Sequence, residues 1–235
     1  MKKFAVLAAG CAAIAIGICV AGYQAAADNT GTISGTVKFD GTAPAPKKVE
    51  VTKDKEVCGL KPHFEEALIV GSGGGIANAV VVLKDAKGTV KPGDVKFDQK
   101  GCDYVPHVLA FPAGSTVNII NSDGILHNIH TYSKVNPPFN MAQPKFKKVI
   151  KQTVEKPEII KVNCDAHGWM QGWWYVTDTP YYAVTDDNGN FEIKDVPPGS
   201  YTIEVWQEKL GTQDQKVDVK AGAAATANFT LKPKA

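Results

Sequence analysis

Three side chains that can bind a soft metal ion lie within one short stretch of the chain, at Cys164, His167 and Met170. A thiolate and a thioether are soft donors that suit copper, whereas zinc sites favour further Cys, His or carboxylate ligands. Two histidines and one cysteine in a trigonal set, with a weak axial methionine, form a type 1 (blue) copper site. This stretch supplies one histidine, so the second must come from elsewhere in the chain.

The best candidate for the missing ligand is His127, which follows a predicted strand. A Pro-Ala-Gly turn at 112–114 precedes a β-branched run that ends near Asn121, and this pattern predicts a buried strand. His130 lies three residues beyond His127 and would point to the opposite face of a strand. We therefore expect His127, and not His130, to bind the metal.

The order of these residues resembles the cupredoxins. A strand ends in Asn-x-Asp, a His-Asn pair follows, and Cys-x₂-His-x₂-Met then precedes an aromatic strand, with spacings like those of amicyanin. The resemblance covers residues 92–178 and implies a Greek-key β-sandwich around one copper ion that cycles between Cu(I) and Cu(II). The ligands that it implies are His127, Cys164, His167 and Met170.

The same resemblance assigns roles to the neighbours of the ligands. Asn128, and Asn121 at the end of the preceding strand, are expected to hold the metal-binding loops in place. One edge of His167 is expected to reach the surface, where Trp169 and Trp173 could form an apolar rim for a protein partner. Simple burial of the two tryptophans is the alternative.

Two further histidines lie outside this ligand set. His107 could supply an extra donor to the same ion, with a structural role as the alternative. If His107 replaced Met170, the site would keep an open coordination position, as a small-molecule redox enzyme requires. His63 is expected to be a surface or packing residue.

The first 27 residues have the features of a secretory signal peptide. Lys2 and Lys3 precede an apolar stretch over 4–22, and an Ala-x-Ala cleavage site lies at 25–27. The prediction is export to the periplasm of a bacterium. An uncleaved membrane anchor and lipidation at Cys11 are the alternatives, so contact with a membrane is expected only if this segment is retained.

The cysteine count agrees with an oxidising compartment. Of the five cysteines, Cys11 and Cys19 lie in the predicted signal peptide. If Cys164 binds copper, Cys58 and Cys102 are free to form a disulfide, which such a compartment permits. Two separate buried thiols are the alternative.

The charge of the chain argues against nucleic acid as a partner. All 26 basic residues are lysines, and the chain has 24 acidic residues. Removal of Lys2 and Lys3 would leave the mature chain neutral. Because arginine is absent from the sequence, the bidentate contacts that it makes with bases and phosphates are absent as well.

Turn motifs near the C-terminus resemble a second family. Thr-Asp-x-x-Gly-x-Phe at 185–191 and Pro-Pro-Gly-x-Tyr at 197–201 are similar to the carboxypeptidase regulatory-like (transthyretin-like) domain, a structural β-sandwich. Residues 179–235 alone are few for a sandwich core, and strand patterns in 28–91 supply what they lack. We therefore expect a discontinuous sandwich from 28–91 and 179–235, with the domain of 92–178 inserted. In a plainer arrangement, the N-terminal strands join the inserted domain.

These features together predict an all-β protein with a cupredoxin sandwich inserted into, or flanked by, a second sandwich. The expected function is that of an exported mononuclear copper electron-transfer protein, not an enzyme, whose partner is a periplasmic redox protein such as a c-type cytochrome. One alternative is a periplasmic copper-handling protein. Another is a structural or interaction module with a vestigial copper site.

Overall fold

The computed structural model describes residues 29–233 and is almost entirely β-structure. The predicted signal peptide at 1–27 lies outside the described residues. Within them, no helix is long and apolar enough to span a membrane. The elements are β1 (Gly31–Phe39), β2 (Lys48–Val49), α1 (Lys55–Cys58), β3 (His63–Phe64), β4 (Val80–Leu83), β5 (Asp94–Gln99), β6 (Tyr104–Val105), β7 (Val108–Pro112), β8 (Ser115–Asn121), β9 (His127–Thr131), β10 (Asn140–Gln143), β11 (Val149–Val154), β12 (Glu158–Asn163), β13 (Gln171–Thr177), β14 (Tyr182–Val184), β15 (Asn190–Val196), β16 (Gly199–Gln207), β17 (Gly211–Val219), β18 (Ala224–Thr226) and β19 (Phe229–Leu231).

Strands from both ends of the described chain form one sandwich, called here the end sandwich. One sheet has the order β14-β4-β16-β17, and the other has β15-β1-β18 with β19 also paired to β1. Strand β1 runs antiparallel to β15, and β4 lies between β14 and β16. Ile33 and Leu83 share one buried core with Ile203 and Phe229. The N-terminal strands therefore complete a core that the C-terminal strands cannot close alone.

A sharp turn between β14 and β15 shows why its motif residues are needed. The Asp186 carboxylate accepts hydrogen bonds from the backbone N–H groups of Asn188 (2.9 Å) and Asn190 (2.8 Å). Gly189 has a φ of 78°, a conformation that costs glycine little. The turn motif is thus used for local backbone structure.

The strands between β4 and β14 in the sequence form a second sandwich, the central sandwich. Its sheets have the orders β10-β9-β12-β13-β7 and β11-β8-β5-β6. Along β8 every second residue is buried, as the alternation of a half-buried strand requires. Val117 and Ile119 of β8 join Phe97 and Trp174 in the core, where the two aromatic rings meet edge to face with centroids 5.5 Å apart. The prediction of an all-β chain with two sandwiches is confirmed.

Strand β4 connects the two sandwiches because both of its faces are buried. Val81 and Leu83 face the core of the end sandwich. Val80 and Val82 pack instead with Tyr175 and other side chains of the central sandwich. A strand covered on both faces explains the uninterrupted apolar sequence of β4.

A short segment that we call the cap segment, residues 48–66, packs on the central sandwich and contains β2, α1 and β3. A disulfide joins Cys58 of this segment to Cys102, so the pairing is favoured over two separate thiols. Both cysteines are buried in the core of the central sandwich. His63, in β3 of this segment, is buried, with one ring nitrogen 2.8 Å from Asp103 Oδ1 and the other 2.8 Å from the carbonyl oxygen of Cys58. The cap segment is thus fixed covalently and by buried hydrogen bonds.

Candidate metal centre

Two neighbouring strands of the central sandwich, β9 and β12, bring His127 and Cys164 together. His127 is the first residue of β9, and Cys164 directly follows the last residue of β12. These strands pair antiparallel, with Asn163 opposite His130, so the start of β9 lies near the end of β12. The loop 164–170 then turns into β13 and adds His167. Sheet pairing therefore brings these parts of the chain together.

The donor atoms of His127, Cys164 and His167 face one another in a closed space. The two Nδ1 atoms of the histidines are 3.1 Å apart, and Cys164 Sγ is 3.7 Å from His167 Nδ1. All three donors lie within 4.8 Å of one another. Both histidines are fully buried and Cys164 is 1% exposed. This is a preformed set of two nitrogens and one sulfur.

The separation between the two Nδ1 atoms and that between Cys164 Sγ and His167 Nδ1 fit a single metal ion. Metal–donor bonds of roughly 2.0–2.3 Å at angles of roughly 100–120° place two donor atoms about 3.1–3.8 Å apart. The two imidazole lone pairs face each other, and a thiolate lies beside them. Because all three groups are electron-rich and buried, they require a cation between them, either a proton or a metal ion. The residues present therefore fit a bound copper ion.

A carboxylate holds the outer edge of each histidine. His127 Nε2 lies 2.9 Å from Asp123 Oδ2, and His167 Nε2 lies 2.7 Å from Asp54 Oδ2. The Asp123 carboxylate also accepts the backbone N–H groups of Gly101 and Cys102. Because Nε2 is engaged in both rings, Nδ1 is left as the metal donor, and both rings are oriented.

The charges at the site favour a thiolate and a protonated histidine in the metal-free protein. Burial opposes ionisation of Cys164, but hydrogen bonds from His127, His167 and the loop backbone lower the pKa of the thiol to about 6. Burial also opposes the charge on His127, but Asp123 and Cys164 raise the pKa of the imidazole to about 9. A proton on His127 thus occupies the place of the metal ion.

Copper loading is therefore expected to release protons in a pattern set by these two groups. At pH 7.5 Cys164 is already a thiolate and His127 is protonated, so loading should release about one proton from His127. Below pH 6, Cys164 should add a second. Calorimetry in buffers of different ionisation enthalpy measures this number at pH 7.5 and below pH 6. A wild-type protein that releases no proton at pH 7.5 would contradict the assignment.

Met170 closes the loop beside these donors. Its backbone N–H donates to the carbonyl oxygen of His167 (2.9 Å), and its carbonyl oxygen accepts the N–H of Cys164 (3.1 Å). Its side chain is 1% exposed and belongs to the same buried cluster as Cys164. Met170 is therefore buried in the same closed loop as Cys164, where a methionine can serve as the axial ligand.

The two asparagines singled out in the sequence hold the loops that carry the ligands. Asn128 Oδ1 accepts the backbone N–H of Asp165 at 2.9 Å, which ties strand β9 to the cysteine loop. Asn121 Nδ2 donates to the carbonyl oxygens of Ile125 (2.8 Å) and Gln143 (2.9 Å). Asn121 thus fixes the loop that leads into His127.

The expectation that an edge of His167 reaches the surface is wrong. The side chain is fully buried, because the cap segment lies over it and Asp54 binds its outer nitrogen. The resemblance could not indicate this cover, since the cap segment lies outside residues 92–178. An electron that enters from the side of His167 must therefore cross the cap segment.

Four other side chains named above are not part of the set of three donors, although the ring of Trp169 packs against that of His167 with centroids 5.1 Å apart. His107 does not join His127, Cys164 and His167. Its Nε2 lies 2.5 Å from Glu208 Oε1. His130 is half-buried and pairs with Asp165, 3.1 Å away. Both tryptophans are half-buried: Trp169 donates to the carbonyl oxygen of Cys102, and Trp173 donates to Glu208. Their role in partner docking stays a prediction.

Sequence reasoning missed the two carboxylates that orient the histidines. Asp123 precedes His127 by four residues at the end of the Asn-x-Asp motif, and this short spacing was the available signal. Asp54 is 113 residues from His167, and nothing in the local sequence connects the two. Long-range packing of the cap segment alone brings Asp54 to the site.

A buried His₂Cys set beside a methionine, inside an all-β sandwich, defines a candidate type 1 metal centre. Comparison with known proteins first identifies part of the end sandwich. Residues 175–232 match the family model of the carboxypeptidase regulatory-like domain, which confirms the resemblance of the turn motifs. Rhamnogalacturonate lyase A from Emericella nidulans is 32% identical over 57 residues, which are 24% of this chain and 11% of that enzyme. The chain thus spans only a small part of this relative.

Three solved structures are similar to part of this chain. A purple cupredoxin from Nitrosopumilus maritimus is 23% identical, with 36% of this chain and 100% of that chain covered and a TM-score of 0.31. The copper-containing nitrite reductase from Thermus scotoductus is 24% identical, with coverage of 42% and 25% and a TM-score of 0.35. An oxidised amicyanin variant is 21% identical, with coverage of 41% and 98% and a TM-score of 0.33. The assignment of a metal to this chain rests on its own donor atoms.

Proposed function

We propose that this protein is an exported electron carrier that holds one copper ion at His127, Cys164, His167 and Met170. The observation that carries the proposal is the buried, preformed set of two Nδ1 atoms and one sulfur. When bound, copper supplies one-electron chemistry between Cu(I) and Cu(II). The protein residues fix the positions of the donors and exclude water from them, so the same residues would hold the ion in either oxidation state.

The burial of the site supports electron transfer over the delivery of copper. The ligands come from paired strands and from a loop closed by backbone hydrogen bonds, both histidine rings are held by carboxylates, and the cap segment covers the site. A protein that releases its ion needs an accessible or mobile ligand set. Met170 as the axial ligand would also leave no open position for a substrate. We therefore propose a carrier without a substrate of its own.

The compartment and the partner are part of this proposal. The features of residues 1–27 support export, and the disulfide agrees with an oxidising compartment such as the bacterial periplasm. A periplasmic redox protein such as a c-type cytochrome would then donate or accept the electron. Residues 28–91 and 179–235, apart from the cap segment at 48–66 that packs on the central sandwich, would form the structural domain into which the copper-binding domain of 92–178 is inserted.

Electron exchange with a small c-type cytochrome tests the proposed function. Stopped-flow mixing of reduced cytochrome with the copper-loaded protein should show rapid, reversible transfer of one electron per chain, with the copper retained over repeated cycles. The zinc-loaded protein is the matched control and should not react. Sluggish exchange together with ready loss of copper would overturn the carrier and favour copper handling.

Met170→Leu is expected to keep the intense visible band and to raise the reduction potential. The change nearly conserves volume, so its cost in stability should stay below about 1.5 kcal/mol. The potential rises because the weak axial donor, which stabilises Cu(II) over Cu(I), is removed. Protein-film voltammetry measures the shift. A lower or unchanged potential would show that Met170 does not act on the ion.

A further inference from the structure

A second group of metal-binding side chains lines a cavity next to the copper loop. The cavity has a volume of about 440 Å³ and lies between the cap segment, the loop residues 168–171 and the turn that follows β16. Lys209 is the one lysine on its wall. Five carboxylates line it, from Glu50, Glu65, Glu66, Asp103 and Glu208. This excess of negative charge favours a cationic ligand.

His107 lies on the wall of this cavity with one nitrogen engaged and one not. The residue is 7% exposed, and its Nε2 lies 2.5 Å from Glu208 Oε1, while the other oxygen of Glu208 accepts the indole N–H of Trp173 at 2.8 Å. Nδ1 has no hydrogen-bond partner among residues 29–233. Glu66 Oε2 is 3.5 Å from Nδ1, without the geometry of a hydrogen bond. A buried ring nitrogen is thus left unsatisfied beside a carboxylate.

This arrangement has the features of an oriented metal ligand. A carboxylate on one nitrogen of a histidine commonly fixes the ring so that the other nitrogen can bind metal, and here Glu208 is itself held by Trp173. A nitrogen and an oxygen that bind one ion lie about 3.1–3.6 Å apart for bond lengths of roughly 2.0–2.2 Å. The separation of His107 Nδ1 and Glu66 Oε2 falls in this range.

We propose that His107 Nδ1 and Glu66 bind a divalent transition-metal ion at a second site, with Glu208 as the positioning residue. Imidazole and carboxylate together suit Zn²⁺ and related ions. Glu66 is 37% exposed, so the ion can enter from solvent, and waters would complete its coordination. In the metal-free protein, burial opposes a charge on His107, but Glu208 and Glu66 raise the pKa of the ring to about 9. A proton therefore substitutes for the ion.

Zinc titration of the copper-loaded protein tests this site by calorimetry at fixed pH. Wild type is expected to bind one Zn²⁺, and Glu66→Gln should weaken that binding by at least about tenfold. Glu65→Gln is the matched control, because Glu65 is a neighbouring cavity carboxylate that pairs with Lys47 and not with His107. Glu65→Gln should bind Zn²⁺ within about twofold of wild type, since the charge of the cavity matters less than direct ligation.

Two results would overturn the second site. One is equal zinc binding by wild type and Glu66→Gln. The other is an equal loss in Glu65→Gln and Glu66→Gln, which would indicate diffuse attraction by the acidic cavity. The same comparison in a Cys164→Ser background separates this proposal from the copper site, because the difference between the two glutamate variants does not depend on Cys164.

Discussion

Replacement of Cys164 with serine is expected to abolish the intense visible band of the copper-loaded protein. That band requires a thiolate bound to Cu(II), and Cys164 is the one free cysteine among the described residues. Copper affinity should also fall more than about 100-fold, since loss of a direct ligand exceeds the 10–100-fold cost of losing an outer-shell partner. Optical titration with Cu(II) measures both effects.

His130→Ala is the matched control for this experiment. His130 lies on the same strand as His127, but it is half-buried and pairs with Asp165 away from the donor atoms. The variant should keep the band and the potential nearly unchanged. Loss of colour in His130→Ala, or a band that survives in Cys164→Ser, would show that the ligand set is wrong.

Removal of the disulfide is expected to have the second large effect, on stability and on access to the copper. Cys58 and Cys102 are 44 residues apart, and the loop-entropy model gives about 4 kcal/mol of stabilisation for a loop of that length. The double variant Cys58→Ala, Cys102→Ala should lose this amount in urea denaturation. Because the disulfide fixes the cap segment over His167, oxidation of the Cu(I) protein by ferricyanide should also become faster.

Asp54→Ala tests the contact between the cap segment and His167 separately from the disulfide. It removes the carboxylate that binds His167 but leaves the disulfide intact. The loss of stability should be smaller, at most about 3 kcal/mol for one hydrogen bond to a charged group. The reaction with ferricyanide should become faster in this variant too. Unchanged rates in both variants would mean that the cap segment does not limit access.

The ligands could be predicted from the sequence because their chemistry is local. Cys164, His167 and Met170 lie in one loop, and the strand pattern before His127 identifies the other contributor. Soft donors in one short loop are unusual enough to indicate a metal without any knowledge of the fold. The structure brings the three nitrogen and sulfur donors together, as that spacing implies.

The surroundings of the site could not be predicted because they depend on long-range packing. The cap segment has no periodic pattern of its own, and the disulfide and the buried His63 hold that segment where Asp54 contacts His167. The expectation of an exposed His167 therefore failed. His107 likewise depends on Glu208, 101 residues away in the end sandwich.

The fold itself could be predicted in outline. Strand alternation and turn residues give the all-β class, and the Asp186 turn forms as its motif implies. The buried faces of β4 could not be assigned from its uninterrupted apolar sequence, since such a strand fits many positions. Only its two different sets of neighbours show that it joins the sandwiches.

Electron paramagnetic resonance of the purified protein, combined with metal analysis, tests most directly whether two nitrogens and one thiolate hold a redox-active ion. One copper per chain, with the narrow hyperfine splitting that a short copper–thiolate bond produces, is the expected result. Absence of copper after loading, or a splitting of the type 2 kind in the wild-type protein, would contradict it.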